Sequence, residues 1–156
     1  MNEASFITVM NPDRARIREF LASPDVPLAF DSSPLLLALG TTIVSAGNGR
    51  VLLRFEPAPL FMQGASVVQG GAVSAMLDFA LAAAIMTTLD DNVHFATASL
   101  TVSFLAAVKP GALLAEGEID RIGRRNGFAR ASLRAEGGDA ILATASSVLT
   151  MLPPDR

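Results

Sequence analysis

The segment 69–89, QGGAVSAMLDFALAAAIMTTL, constrains the fold of this chain more than any other. Nearly all its residues are apolar or small, and its one charged residue, Asp78, lies near the middle. The pattern predicts a helix of about five turns over 71–88. Such an apolar helix is expected to lie in a core, where an unpaired carboxylate is expensive, so Asp78 requires an explanation.

Composition narrows the class of protein. The 156 residues are expected to form a single domain, 1–156, and 51% hydrophobic with 17% charged residues is far from a disordered composition. The chain has no cysteine, which excludes disulfides, thiolate nucleophiles and cysteine zinc sites. His94 is the only histidine, so no metal site is expected. The net charge of −3 argues against nucleic-acid binding.

Two segments of the sequence bear on localisation, the first twenty residues and the long apolar run. The first twenty residues contain an early acid and no long apolar core, so they do not resemble a secretory signal. Residues 70–89 are long enough to be weighed as a membrane span, but a central Asp opposes insertion by about 2.5–3.5 kcal/mol. We therefore expect a cytoplasmic protein with no membrane partner.

The remaining segments predict one sheet. Asn11-Pro12-Asp13 is a typical helix start, for a helix over about 12–22. Two strands, 36–46 and 50–56, flank the hairpin signal Gly47-Asn48-Gly49. Four more strands, over 98–105, 113–122, 128–135 and 141–151, are joined by tight turns and are expected to pair as antiparallel neighbours. The fold class is therefore α+β, with a curved antiparallel sheet wrapped around one long central helix and an additional N-terminal helix.

The start of the long helix has two interpretations. The backbone N–H of Gly70 lies where a helix has free donors and a positive dipole end, so it could polarise a carbonyl oxygen as an oxyanion hole does. A plain tight turn into the helix is the alternative. Asp78 follows eight residues later, about 12 Å along the axis. Gly70 and Asp78 can serve one reaction only from two antiparallel helices, which predicts a homodimer with shared sites.

Several motifs together resemble the hotdog-fold acyl-CoA thioesterases of the phenylacetate-pathway and 4-hydroxybenzoyl-CoA type. Their signature is His-Gly-Gly at a helix start with an acid nine residues after the His, and Gln69-Gly70-Gly71 with Asp78 keeps that spacing. Gln63 stands where the family has Asn or Gln. The segment 102–111, VSFLAAVKPG, and Gly123-Arg124-Arg125 match two later motifs. The resemblance covers about residues 34–151.

The resemblance implies roles for these residues. Gly70 holds the thioester oxygen, Gln63 and Gln69 assist at the catalytic site, and Asp78 of the partner subunit acts as nucleophile or as general base for water. An apolar pocket would raise the pKa of a carboxylate, so a donor is expected near Asp78. The other substrate-binding candidates, for CoA or the acyl group, are Gly71, Phe61, Met62, Ala82, Arg121, Arg124, Arg125 and Asn126. CoA is part of the substrate and no cofactor is expected.

The sequence departs from the family at three positions. Gln69 replaces the family His and cannot take up a proton, Ala82 stands where the family often has Ser or Thr, and Ser103 replaces the usual Asn. Gln69 and Ala82 favour an alternative, a hotdog protein that binds acyl-CoA or another apolar ligand without efficient turnover. A dehydratase or hydratase is a third possibility, but those enzymes pair a His with the acid. The main expectation is an acyl-CoA thioesterase for aromatic or medium-chain substrates, dimeric and assembled further as a dimer of dimers (a homotetramer).

Overall fold

The N-terminal helix begins where the sequence predicts. The structure is a computed structural model, and it describes residues 11–152. Helix α1 spans Pro12–Ala22, and the side chain of Asn11 accepts hydrogen bonds from the backbone N–H groups of Asp13 at 2.9 Å and Arg14 at 3.3 Å. Proline occupies the first turn, where its missing N–H is not needed.

The rest of the chain forms one antiparallel sheet around a long helix. Helix α2 spans Pro34–Ala38, a short 3-10 helix spans Pro59–Phe61, and helix α3 spans Gly70–Met86. The strands are β1 (Leu28–Ala29), β2 (Thr42–Gly47), β3 (Arg50–Phe55), β4 (Phe95–Phe104), β5 (Leu113–Ile122), β6 (Asn126–Ala135) and β7 (Ile141–Met151). Their order in the sheet is β1-β2-β3-β5-β6-β7-β4. This architecture confirms the predicted fold class, including the additional N-terminal helix.

Two predictions about the strands are wrong. The segment 36–46 is not one strand, because Ser33 caps helix α2 and Pro34 begins it, so strand β2 starts only at Thr42. Strands β4 and β5 are not neighbours, because β4 pairs with β7 and β5 pairs with β3 and β6. The connection 105–112 spans up to about 29 Å when extended, which is enough to cross the intervening strands.

Helix α3 fills the concave side of the sheet. Its fully buried side chains include Val73, Met76, Leu77 and Leu81. A Cβ added at Gly117 on β5 would overlap the backbone carbonyl of Ala80, so the sheet backbone approaches the helix backbone closely there. This close approach requires a residue without a side chain.

One side of helix α3 is left open. Gly71 is exposed, and Ala75, Asp78 and Ala82 are only partly buried. These four residues follow each other at spacings of three and four, so they form one stripe on the helix. We call it the open stripe. It runs beside β4, which is an edge strand with one neighbour in the described chain.

Helix α1 is hydrogen-bonded to the loop that follows α3. Arg14 is buried and donates to the backbone carbonyls of Asp90 and Val93. Arg18 donates to the carbonyl of Leu89 at 2.6 Å. The acceptors are loop carbonyls that follow the end of α3 at Met86. Helix α1 therefore fixes the loop that leads into β4.

Candidate active site

The start of helix α3 carries free backbone donors. Gln69 is the N-cap, and its side-chain oxygen accepts the N–H of Ala72 at 3.1 Å. The N–H of Val73 bonds to the backbone carbonyl of Gln69. Within residues 11–152 no acceptor binds the N–H groups of Gly70 and Gly71, as expected for the first turn of a helix. These donors point toward the space before the helix, at its positive end.

A groove lies against this helix end. It has a volume of about 390 Å³ and contains both Gln63 and Gly70 in its lining. The ring of Phe104 covers Gly70 so closely that an added Cβ would lie 3.3 Å from Cζ of that ring. We call this cavity the Gly70 groove. Its other lining residues are apolar, namely Val67, Val68, Val73, Leu105, Ala106, Ala107 and Val108.

The carboxylate of Asp78 is held from the edge strand. Thr97 Oγ1 donates to Asp78 Oδ1 at 2.9 Å. Strand β4 has an irregular register between Thr97 and Ser99, and a bulge of this kind re-aims side chains next to it. In the single subunit Asp78 is only partly buried. Thr97 supplies the donor that the sequence predicted beside this carboxylate.

A second groove begins one turn beyond Asp78. It has a volume of about 190 Å³ and lies between helix α3, the start of β4 and helix α1. Its lining includes four polar side chains together with apolar ones: Asn11, Arg14, Ala82, Met86, His94, Phe95, Ala96 and Thr97. We call it the Ala82 groove. Desolvation by burial lowers the pKa of the Arg14 guanidinium, although arginine stays charged in proteins.

The basic residues of the sequence prediction lie on and beside the turn between β5 and β6, and we call this region, residues 121–125, the basic turn. Arg121, Arg124 and Arg125 are exposed, and none of them pairs with a carboxylate among residues 11–152. Asn126 is partly buried, and its side-chain oxygen accepts a hydrogen bond from Thr150 at 2.9 Å. The three arginines are therefore placed to meet an anion from solvent, whereas Asn126 also serves the sheet.

Two further candidates lie apart from the groove lining. Phe61 and Met62 are partly buried and pack against the core. The backbone carbonyl of Phe61 accepts the N–H of Gln69, and Met62 forms an isolated bridge with Val68. Both residues thus support the loop that delivers the chain to Gly70. Their predicted contact with an acyl group stays a prediction.

The arrangement divides the candidate residues into two groups within one subunit. Gln63, Gly70 and Gly71 lie at the start of α3, and Asp78 lies about 12 Å further along the same helix with Thr97 and Ala82. A carbonyl held at Gly70 is therefore out of reach of Asp78 in the same subunit. A second helix packed antiparallel on the open stripe would bring the two groups together.

In the described part of the chain, no cluster of three acidic or histidine side chains could hold a metal ion.

Thr97 is the site residue that the sequence argument missed. In the sequence it is one of several Ser and Thr residues along β4, and nothing in the spacing separates it from Ser99 or Thr101. The register irregularity that turns it toward Asp78 is a property of the folded sheet.

No helix in the described residues is long and apolar enough to cross a membrane.

Solved structures share this architecture. A phenylacetic acid degradation-related protein from Ralstonia eutropha superposes with a TM-score of 0.72 at 25% identity, covering 86% of this chain and 98% of that one. A thioesterase family protein from Silicibacter pomeroyi gives 0.75 at 24% identity, covering 89% and 98%. The Escherichia coli PaaI protein from the phenylacetic acid degradation operon gives 0.74 at 15% identity, covering 91% and 97%. The last two likenesses show the fold alone.

The family assignment rests on the sequence. No curated protein matches the chain. The family model of the thioesterase superfamily matches residues 65–142, half of the chain. The matched segment contains Gly70, Asp78, Thr97 and the basic turn. This chain belongs to the thioesterase superfamily and has the hotdog fold, as the sequence motifs predicted.

Proposed function

We propose that this protein hydrolyses the thioester of an acyl-CoA to a free acid and CoA. One observation supports this function above the others. The N–H of Gly70 and the side chain of Gln63 line one groove, where both could donate to a carbonyl oxygen. The carboxylate of Asp78, held by Thr97, lies further along the helix that begins at Gly70. Thioester hydrolysis needs these two kinds of group on opposite sides of one carbonyl carbon.

The proposed role of Gly70 is to stabilise negative charge. As the carbonyl is attacked, its oxygen becomes an oxyanion, and a backbone N–H at a helix start is a fixed donor in a favourable field. Gln63 donates to the same oxygen or orients the thioester. The role of Gln69 is indirect, because its side-chain oxygen accepts the N–H of Ala72 and so holds the first turn of the helix in place.

The proposed role of Asp78 is to drive the attack, from the partner subunit. As a general base it takes a proton from water, whose oxygen bonds to the acyl carbon while the carbon–sulfur bond breaks and the thiolate is protonated. As a nucleophile its own oxygen bonds to the acyl carbon and expels CoA as the thiolate, which takes up a proton from solvent, and water then hydrolyses the resulting anhydride to the free acid and the Asp78 carboxylate. Both routes use the same carboxylate, and neither calls for a cofactor.

Recognition of CoA is assigned to the basic turn. Arginine forms strong bidentate contacts with phosphates, and Arg121, Arg124 and Arg125 are exposed together. The acyl group is proposed to be aromatic or medium-chain, because the side chains near the site, Phe61 and Met62 among them, are apolar. The working form is a homodimer that joins into a dimer of dimers.

A binding protein without efficient turnover is the second candidate. Two observations favour it. The side-chain oxygen of Gln69 is engaged in capping, and the Ala82 side chain has no hydroxyl to orient water. On this alternative Asp78 would be a structural carboxylate satisfied by Thr97.

Thiol release separates the two candidates. The wild type is mixed with short, medium, long and aromatic acyl-CoA esters, beside the Asp78→Asn variant. We expect turnover of at least one ester in the wild type and a loss of about 100-fold or more in the variant, the scale of general-base catalysis. Asp139→Asn, at an exposed turn, is the matched control and is expected to match the wild type. Binding of CoA without thiol release from any ester would establish the binding protein instead.

A further inference from the structure

Two hydroxyl side chains interrupt an otherwise apolar surface on the side of β4 and β7 that faces helix α3. The buried residues that β7 turns to this side are Ala143, Ala145, Ser147 and Leu149. Their partners on β4 are, in the same order, Phe104, Val102, Leu100 and Thr97. Partners in an antiparallel pair share one face, so Ser147 and Thr97 are the polar members of this surface. The Thr97 hydroxyl bonds to Asp78, and the Ser147 hydroxyl bonds elsewhere.

Ser147 is buried, and its hydroxyl donates to the backbone of β4. The residue is 5% exposed, and its Oγ donates to the backbone carbonyl of Ser99 at 2.8 Å. A buried hydroxyl without a partner costs free energy, so a serine at this position must be satisfied. Alanine fills the equivalent inward position at Ala145, two residues earlier, with no such requirement. The serine at position 147 therefore indicates a specific need for a donor at the Ser99 carbonyl.

The Ser99 carbonyl lies at the bulge in β4. Thr97 pairs with Leu149 and Ser99 pairs with Val148, so Ala98 is an extra residue in the register. Side chains alternate with a period of two along a regular strand, which would place Thr97 and Ser99 on the same face. The extra residue instead puts Thr97 opposite the buried Leu149 and Ser99 opposite the next, outward-facing residue of β7. A regular β4 with Ser99 in its present place would turn the Thr97 side chain away from helix α3.

We infer that Ser147 positions the Asp78 carboxylate through this bulge. Its hydroxyl holds the Ser99 carbonyl where the regular ladder of strand hydrogen bonds is interrupted. The bulge held in this way presents Thr97 Oγ1 to Asp78 Oδ1 at 2.9 Å. Ser147 is a positioning residue, because it acts through β4 rather than on the substrate. Its effect on catalysis rests on the proposed thioesterase, whereas its effect on Thr97 does not.

The side-chain rotamer of Thr97 tests the positioning without any turnover. Three-bond couplings to the Thr97 methyl carbon, measured by NMR on the whole protein, give the populations of its χ1 rotamers. We expect one rotamer in the wild type and a mixture in Ser147→Ala, since the bulge then loses its donor. Ser146→Ala is the matched control, an exposed serine on the other face of β7, and is expected to keep the wild-type rotamer. Rotamer populations in Ser147→Ala equal to those of the wild type would overturn the inference.

The rate of thiol release shows whether Ser147 acts through Thr97. Ser147→Ala is expected to lower kcat about fivefold and to keep KM within about twofold, because substrate binding is not altered. In the Ser147→Ala background, Thr97→Val is expected to remove little more, so the double variant matches Thr97→Val alone within about twofold. Losses that multiply would overturn the inference, because they would show that Ser147 acts by a route other than Thr97. A wild type that hydrolyses no ester would contradict the proposed function alone, because the NMR couplings would still show whether Ser147 holds Thr97.

Discussion

At the scale of single residues, the proposed site depends on how Asp78 is held. Its carboxylate accepts a hydrogen bond from Thr97 in the single subunit, and Thr97 also lines the Ala82 groove. The sequence identified Asp78 and Gly70 because their spacing is a property of one helix. It did not identify Thr97, because the contact joins residues nineteen apart through a strand irregularity. Local spacing is readable from sequence, whereas cross-element contacts are not.

Removal of the Thr97 hydroxyl tests that contact. Thr97→Val keeps the shape of the side chain and leaves the Asp78 carboxylate without this donor. A hydrogen bond to a charged group contributes about 1.5–3 kcal/mol, so kcat is expected to fall at least about tenfold with little change in KM. Thr97→Ser restores a hydroxyl and is expected to recover most of kcat. An unchanged kcat in Thr97→Val would show that Asp78 does not depend on this hydroxyl.

At the scale of elements, the sequence predicted α1, α3 and the paired strands better than the connections between them. The caps and the apolar run are local signals, and the structure places α1 at Pro12–Ala22 and α3 at Gly70–Met86. Helix α2 was missed because Leu35, Leu36 and Leu37 form a short apolar run that fits a strand as well as a helix. The neighbour of β4 was missed because the linker 105–112 crosses the sheet.

The close approach of β5 to α3 makes a prediction about stability. A methyl group at Gly117 would overlap the Ala80 carbonyl, and backbone atoms on both sides would have to move. Gly117→Ala is therefore expected to lower the free energy of unfolding by about 1–3 kcal/mol, as overpacking does. Gly64→Ala is the control, because an added Cβ there meets nothing within 4 Å, and its effect is expected to stay within about 0.5 kcal/mol. Urea unfolding of both variants measures the difference, and equal midpoints would contradict the packing argument.

At the scale of the whole molecule, the proposed site needs a second subunit. The open stripe of α3 consists of small residues around Asp78, and the edge strand β4 beside it has one neighbour within residues 11–152. Small residues allow a second helix to approach closely, and a free strand edge is a surface for pairing. A two-fold axis through this region would repeat the same contact from both sides and build two sites. The sequence predicts a dimer for a different reason, the offset of about 12 Å between Gly70 and Asp78 along one helix, and the dimer stays a prediction.

Subunit complementation tests the shared site most directly. Asp78→Asn removes the acid, and Gly70→Pro removes the N–H at the first helical position, where proline is tolerated. Each variant alone is expected to lose thiol release. Co-expressed with two tags and purified as a mixed dimer, they are expected to regain about half of the wild-type turnover, because one of the two sites then combines intact Gly70 with intact Asp78. A mixed dimer as inactive as its parents, beside an active wild type, would show that both groups act within one subunit and would contradict the account.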